Sequence, residues 1–243
     1  IKVEPSNQPG VASVRSGLQV VKEAAFYLCA EQIFGLADFT PQAILGEVFK
    51  GPEHEPAAAI KMYDPKFKLA VEVQERDSRI VETIVNRYRV NGTLHKLASM
   101  LYILGESDSH GNNVLTDGIS IKLIDHGSAF GNIQFNPGED KKIFMPYILR
   151  VGKIKSSMSK EQKMELMPII QDFAVRAEGK TWLMSLDLGN LKSILEKFDI
   201  DPVPSVDRAS ALQGMIANGQ RYDQTINAAW VYGIDLVDQR GPA

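Results

Sequence analysis

The chain has 243 residues, 44% hydrophobic and 23% charged, enough to bury a sizeable core as one domain or as two close-packed lobes. Its formal net charge of -3 gives no basic excess for nucleic acid, and no acidic tail marks a disordered partner segment. No apolar run approaches the ~20 residues that span a bilayer, and no charged start followed by an apolar core marks a signal peptide. The single cysteine, Cys29, excludes an intramolecular disulfide framework and points to a reducing, cytoplasmic setting. It sits in an apolar helix-like run, where packing is its expected role. The chain begins at Ile1 rather than Met, so a fragment or a processed product is expected.

Residues 1–3 have the character of a strand, and a loop rich in Pro, Asn, Gly and Ser follows to residue 15. Ser16 and Gln19 have capping-box spacing, and apolar residues at helical intervals run from Leu18 to Phe34 before Gly35. Residues 43–49 and 58–63 flank a turn-like segment at 51–56, which predicts a strand–turn–strand unit. A charged helix is expected over about residues 69–88, and a more apolar one over 94–104 after Asn91-Gly92. Residues 119–124 alternate apolar and polar side chains, the pattern of a half-buried strand. Helical periodicity then dominates at 159–177, 187–198, 207–218 and 221–232, with Pro202 and Pro204 as punctuation. The organisation predicted is α+β: a small mixed lobe over residues 1–64 and a larger, mainly helical lobe over 65–243, with a ligand cleft between them.

The chemistry-bearing side chains concentrate in residues 105–131. Phosphoryl transfer requires one carboxylate to orient the acceptor hydroxyl and take its proton. A second carboxylate and an amide oxygen must hold magnesium against the phosphates. Asp108 and Asn113 have the five-residue offset of the kinase loop His-Arg-Asp-x-x-x-x-Asn. Asp125-His126-Gly127 stands where Asp-Phe-Gly closes a strand, and Gly127 is expected to free the backbone for a sharp turn. An ordinary solvated turn would also be rich in Asp, Asn and Gly. Two halves in order, 12 residues apart with a strand between them, outweigh that reading.

Within the loop the histidine follows the acid, giving Asp-x-His-x-x-Asn over residues 108–113. That order resembles the phosphatidylinositol 3-/4-kinase family and its bacterial relatives, whose loop reads Asp-Arg-His-x-x-Asn and whose strand commonly ends in Ile-Asp-Phe-Gly or Ile-Asp-His-Gly. The resemblance covers about residues 1–150 and implies a two-lobed protein-kinase-like fold. It implies Asp108 as catalytic acid/base, His110 as a transition-state contact, Asn113 and Asp125 as ligands of Mg or Mn, and ATP as phosphoryl donor. The chain departs from the family at Ser109, where the family carries Arg.

A kinase small lobe also supplies a lysine to the phosphates and a helix glutamate that fixes it. Lys22-Glu-Ala-Ala-Phe-Tyr, with Phe34-Gly-Leu, resembles the small-lobe helix of the bacterial relatives, which carries Arg-Glu-x-Ala-Ala-Tyr. This pairs Lys2 with Glu23 and places the adenine-contacting hinge at Ile60, Met62 and Tyr63. The competing pair is Lys61 with Glu72, Glu75 or Glu82. Only 46 residues separate Lys61 from Asp108, too few for a helix, two strands, a hinge and a second helix, so Lys2–Glu23 is favoured. With Lys2 in that role, strands and a phosphate-covering loop are expected before it.

Other chemistries fit less well. His110 and His126 with Asp108 and Asp125 could form a metal-hydrolase centre, but no His-x-x-x-His or Glu-x-x-His spacing supports one. No Gly-x-Ser-x-Gly elbow points to a serine hydrolase. His54 is expected at the surface, and His95, Trp182 and Trp230 in packing. Lys141, Lys142, Lys153 and Lys155 read as a solvated rim. The expected function is an ATP- and Mg-dependent phosphotransferase acting on a protein or small-molecule acceptor, a protein ahead of a lipid. Ser109 makes a catalytically weak or inactive kinase-like binding module the alternative.

Overall fold

The structure is a computed structural model that describes residues 13–16, 18–50, 53–60, 65–106, 111–130 and 177–217. Strands β1 (Ser13–Ser16), β2 (Ala43–Lys50) and β3 (Glu53–Ile60) form an antiparallel sheet in the order β1-β3-β2. The register sets Ser13 and Ala43 on either side of Ile60. Ser16 is therefore a strand residue paired with Ala57, and the helix expected to be capped by it starts at Leu18. Residues 53–56, expected in the turn, belong to β3, which runs from Glu53. Pro56 is tolerated in the central strand because β1 pairs with β3 only as far as Ala57, so the missing N–H removes no bond on that side. The strand expected at residues 1–3 lies outside the described residues, as do Met62 and Tyr63.

Helix α1 (Leu18–Gln32) packs against all three strands. Val20, Val21, Ala24, Ala25, Phe26, Tyr27, Cys29 and Ala30 are all buried, so the helix is covered on nearly every side. Burial pushes the Cys29 thiol up to about 12, which keeps it protonated and inert. The helix ends at Gln32 and the chain turns away at Gly35 (φ +63°), where the Leu36 N–H donates to the Ala30 carbonyl at 2.7 Å.

The single charged helix expected over 69–88 is two helices, α2 (Ala70–Arg76) and α3 (Ser78–Val90). Asp77 breaks it in extended backbone, accepting the Arg79 N–H and a two-pronged guanidinium contact at 3.0 and 3.1 Å. The Arg79 side chain, then its backbone N–H, holds the Asp77 carboxyl below its usual range. Helix α3 buries Val81, Ile84, Val85 and Tyr88, one stripe at helical spacing. Helix α4 (Thr93–Ile103), entered through Gly92 at φ +78°, is buried along almost its whole length, His95 included.

A second small sheet follows in the order β4-β5-β6, from β4 (Lys68–Leu69), β5 (Val114–Thr116) and β6 (Ile121–Leu123). The strand expected over 119–124 is shortened by the Asp117 side chain, which takes the N–H groups of Ile119 and Ser120 at 2.9 and 2.7 Å. Burial opposes ionisation of Asp117. Those two N–H groups, the Ser120 hydroxyl and the Lys66 ammonium outweigh it and hold the carboxyl down at about 2. With a folded value below the ordinary 3.8, its contribution is complete above that pH and is lost as pH falls through about 2. Asp117→Asn should therefore lower stability at pH 7 by about 1 kcal/mol after solvent screening. Urea titrations between pH 4 and 2 should show a flatter pH dependence for the variant than for the wild type.

The remaining described elements are α5 (Ala177–Met184), α6 (Leu188–Lys197) and α7 (Val203–Ala217). Helix α7 starts four residues before the expected position because Pro204 occupies its first turn, where a missing N–H costs no helical bond. The helices expected at 159–177 and 221–232 lie almost wholly outside the described residues, as do Trp230 and the four rim lysines. One apolar core runs through α1, α3, α4, β5, β6 and α5–α7. The described residues are α+β and mostly helical, and no helix among them is long and apolar enough to cross a membrane.

Candidate functional site

The end of α4 sets the geometry. Gly105 (φ +60°) lets the chain reverse, so that the Gly105 N–H reaches the Tyr102 carbonyl and the Glu106 N–H reaches that of Leu101. This paired closure of the last turn is the Schellman arrangement. The next two carbonyls are also taken: Ile103 by Arg208 Nε of α7 at 3.0 Å, and Leu104 by the Phe130 N–H at 2.8 Å. No carbonyl at this buried helix end is left to water. Glu106 therefore leaves α4 in a fixed place and leads into residues 107–110.

Asp108 and His110 lie in that segment, outside the described residues, as does Lys2. Asn113 closes a short 3-10 turn, Gly111–Asn113, directly before β5, and it is buried. Val114 pairs with Leu123, and the Ile124 N–H donates to the Asn113 carbonyl at 2.9 Å. Asp125 thus stands one residue beyond the partner of Asn113. The hairpin joins the amide and the acid that the sequence separates by 12 residues.

The backbone at Asp125 is left-handed (φ +61°), and its residue is exposed. The sharp turn thus falls on the acid itself, whereas the sequence predicted it at Gly127. Gly127 is required for another reason. A Cβ there would lie 3.0 Å from the Gln19 Cβ and 3.3 Å from the Gln19 carbonyl oxygen, at the first turn of α1. Gly127→Ala is expected to cost about 1–3 kcal/mol by overpacking. Gly214→Ala in α7, which meets nothing within 4 Å, should be neutral or slightly stabilising. Urea midpoints of the two variants check the contrast.

Sequence reasoning missed Glu106 and Ser128. The Glu106 carboxylate lies 2.6 Å from His126 Nδ1 through one oxygen and accepts the Ser128 hydroxyl at 3.0 Å through the other. The side chains of Glu106 and His126 are 0% and 1% exposed, so the pair is shielded from solvent. With Glu106 ionised, Nδ1 carries the proton, and Nε2 is buried without a partner among the described residues. Phe26 of α1 stacks on the imidazole at 3.7 Å, and Tyr27 meets it edge-on at 5.8 Å. The only signal for Glu106 was a charged residue immediately after a Gly at the end of an apolar helix.

Glu23, one turn before Tyr27, is buried and accepts the Tyr27 hydroxyl. Of the four candidate glutamates it is the interior one. Glu72 and Glu75 are exposed, and Glu82 is half-buried. Ile60 ends β3, and Lys61 lies outside the described residues. Among the described residues, no group of three or more His, Cys, Asp or Glu side chains is placed to hold a metal ion. Asn113 and Asp125 offer an amide and a carboxylate oxygen, a hard donor set of the kind magnesium accepts when phosphates and water complete its shell. The sequence matches no family model and no curated protein.

Proposed function

We propose that the chain is an ATP- and magnesium-dependent phosphotransferase of kinase-like, two-lobed design that acts on a protein or small-molecule hydroxyl. The observation that carries the reading is the hairpin that sets exposed Asp125, in left-handed backbone, beside Asn113, with Gly127 packed against the first turn of α1. Residues 1–64 form the nucleotide clamp in this reading, and residues 65–243 carry the catalytic loop.

Asp108 takes the proton of the acceptor hydroxyl as the hydroxyl oxygen bonds to the γ-phosphorus. The bond from that phosphorus to the β,γ-bridging oxygen breaks, ADP leaving with the electron pair, and His110 donates a hydrogen bond to the oxygens that gain charge. Asn113 and Asp125 would hold the metal, which when bound would supply charge neutralisation to the phosphates. Lys2 contacts the phosphates, Glu23 orients Lys2, and Ile60, Met62 and Tyr63 receive the adenine. The buried position of Glu23 supports it over Glu72 and Glu75, because an acid that fixes a phosphate lysine must face inward.

Magnesium-dependent ATP turnover, autophosphorylation included, is the test. Ser109 in place of Arg favours a second reading, a nucleotide-binding module with little or no turnover. Magnesium-dependent nucleotide binding without turnover would select that module. Neither binding nor turnover would overturn both.

A further inference from the structure

We infer that Glu106 is a positioning residue that aims the Asp125 carboxylate through His126 and Ser128. The inference rests on the phosphotransferase reading and deepens it. Asp125 sits in a backbone conformation that a non-glycine residue holds only where its surroundings over-determine it. Two of the residues that follow Asp125, His126 and Ser128, are tied down by contacts of their own. His126 is the next residue, and among the described residues its ring is held by one polar contact, Glu106, and by the Phe26 stack. Ser128, two residues further on, is tied to the other oxygen of the same carboxylate. One side chain thus grips the loop at two points beyond the acid.

Glu106 can act as that anchor because its own backbone is fixed by the Gly105 reversal at the end of α4. Phe130, whose N–H bonds Leu104, closes the same loop from its far end. The arrangement is not a Ser–His–acid nucleophile. The Ser128 hydroxyl donates to Glu106 and not to His126 Nε2, which has no partner among the described residues. Contacts behind a metal ligand change metal affinity more than they change the chemical step.

The test uses the full chain and titrates magnesium at saturating ATP. Glu106→Ala should raise the half-saturating magnesium concentration by about 10–100-fold with a smaller change in kcat. Glu106→Gln, which still accepts from His126 Nδ1–H, should recover most of that loss. Ser128→Ala, which keeps the buried pair, should shift it by about 3–10-fold and carries the test if Glu106→Ala does not fold. In parallel, without metal, amide hydrogen exchange at Ile124, Ala129 and Phe130 should be faster in Glu106→Ala and Ser128→Ala than in the wild type. Half-saturation unchanged in the folded variants, or lowered kcat alone with no rescue by Gln, overturns the inference. Where the wild type shows no magnesium-dependent turnover, faster exchange in the variants upholds the anchor while the phosphotransferase reading falls. Unchanged exchange there overturns the anchor as well.

Discussion

Asp125→Asn is expected to remove magnesium-dependent turnover by about 10³-fold or more while leaving the fold intact. The residue is exposed, so the exchange of an oxygen for an amide nitrogen disturbs no core contact. Asn also adopts left-handed backbone as readily as Asp, so the φ of +61° carries no new strain. Asp125→Gly should lose activity equally yet gain up to about 1 kcal/mol, because the steric cost of that backbone is relieved and only partly offset by a freer unfolded chain. Stability and activity would then move in opposite directions at one position, the signature of strain kept for function. Turnover assays with urea denaturation of the same preparations read both. Wild-type turnover in Asp125→Asn would rule out the metal-ligand assignment.

Phe26→Ala should have the largest effect on stability. The ring is fully buried, lies flat on His126 at 3.7 Å, and meets Tyr27 and Phe130 edge-on at 6.2 and 6.5 Å. Truncation removes the transfer energy of the ring and leaves a cavity between α1 and the loop after β6, at a cost of about 3–5 kcal/mol. Domains of this size are typically stable by about 5–15 kcal/mol, so the variant would sit near the threshold of folding. Phe26→Leu keeps most of the volume, loses the stack, and should cost about 1–2 kcal/mol. Equilibrium unfolding in urea distinguishes them. An Ala variant that loses less than 1 kcal/mol would show that the cavity collapses.

Helical periodicity was legible where burial is one-sided or complete. The apolar run through Phe26, the stripe of Val81, Ile84, Val85 and Tyr88, and Leu191, Ile194 and Leu195 all lie on helices. Breaks made by side-chain chemistry were not. Asp77 splits one charged run into two helices, and Asp117 shortens a strand, each by capturing backbone N–H groups that the pattern assigns to the regular element. Strand β1 escaped notice because its four residues, Ser-Val-Arg-Ser, are too few to show alternation. At the site, the spacing of Asn113 and Asp125 was readable because both lie on one hairpin. Glu106 and Phe26 were not readable as partners of His126. One follows the end of α4 and the other lies on α1, and only tertiary packing brings them to the ring.

The Arg208 bond to the Ile103 carbonyl closes a contact across 105 residues of sequence. The end of α4 can be completed only after α7 has been made and docked. During synthesis the chain therefore carries residues 105–131 for a long interval before their support arrives. Closing so long a loop is entropically slow relative to local helix formation. Completion of the end of α4 is thus expected to be a late event in folding, and a nascent chain halted before Val203 would lack the Arg208 bond that closes it.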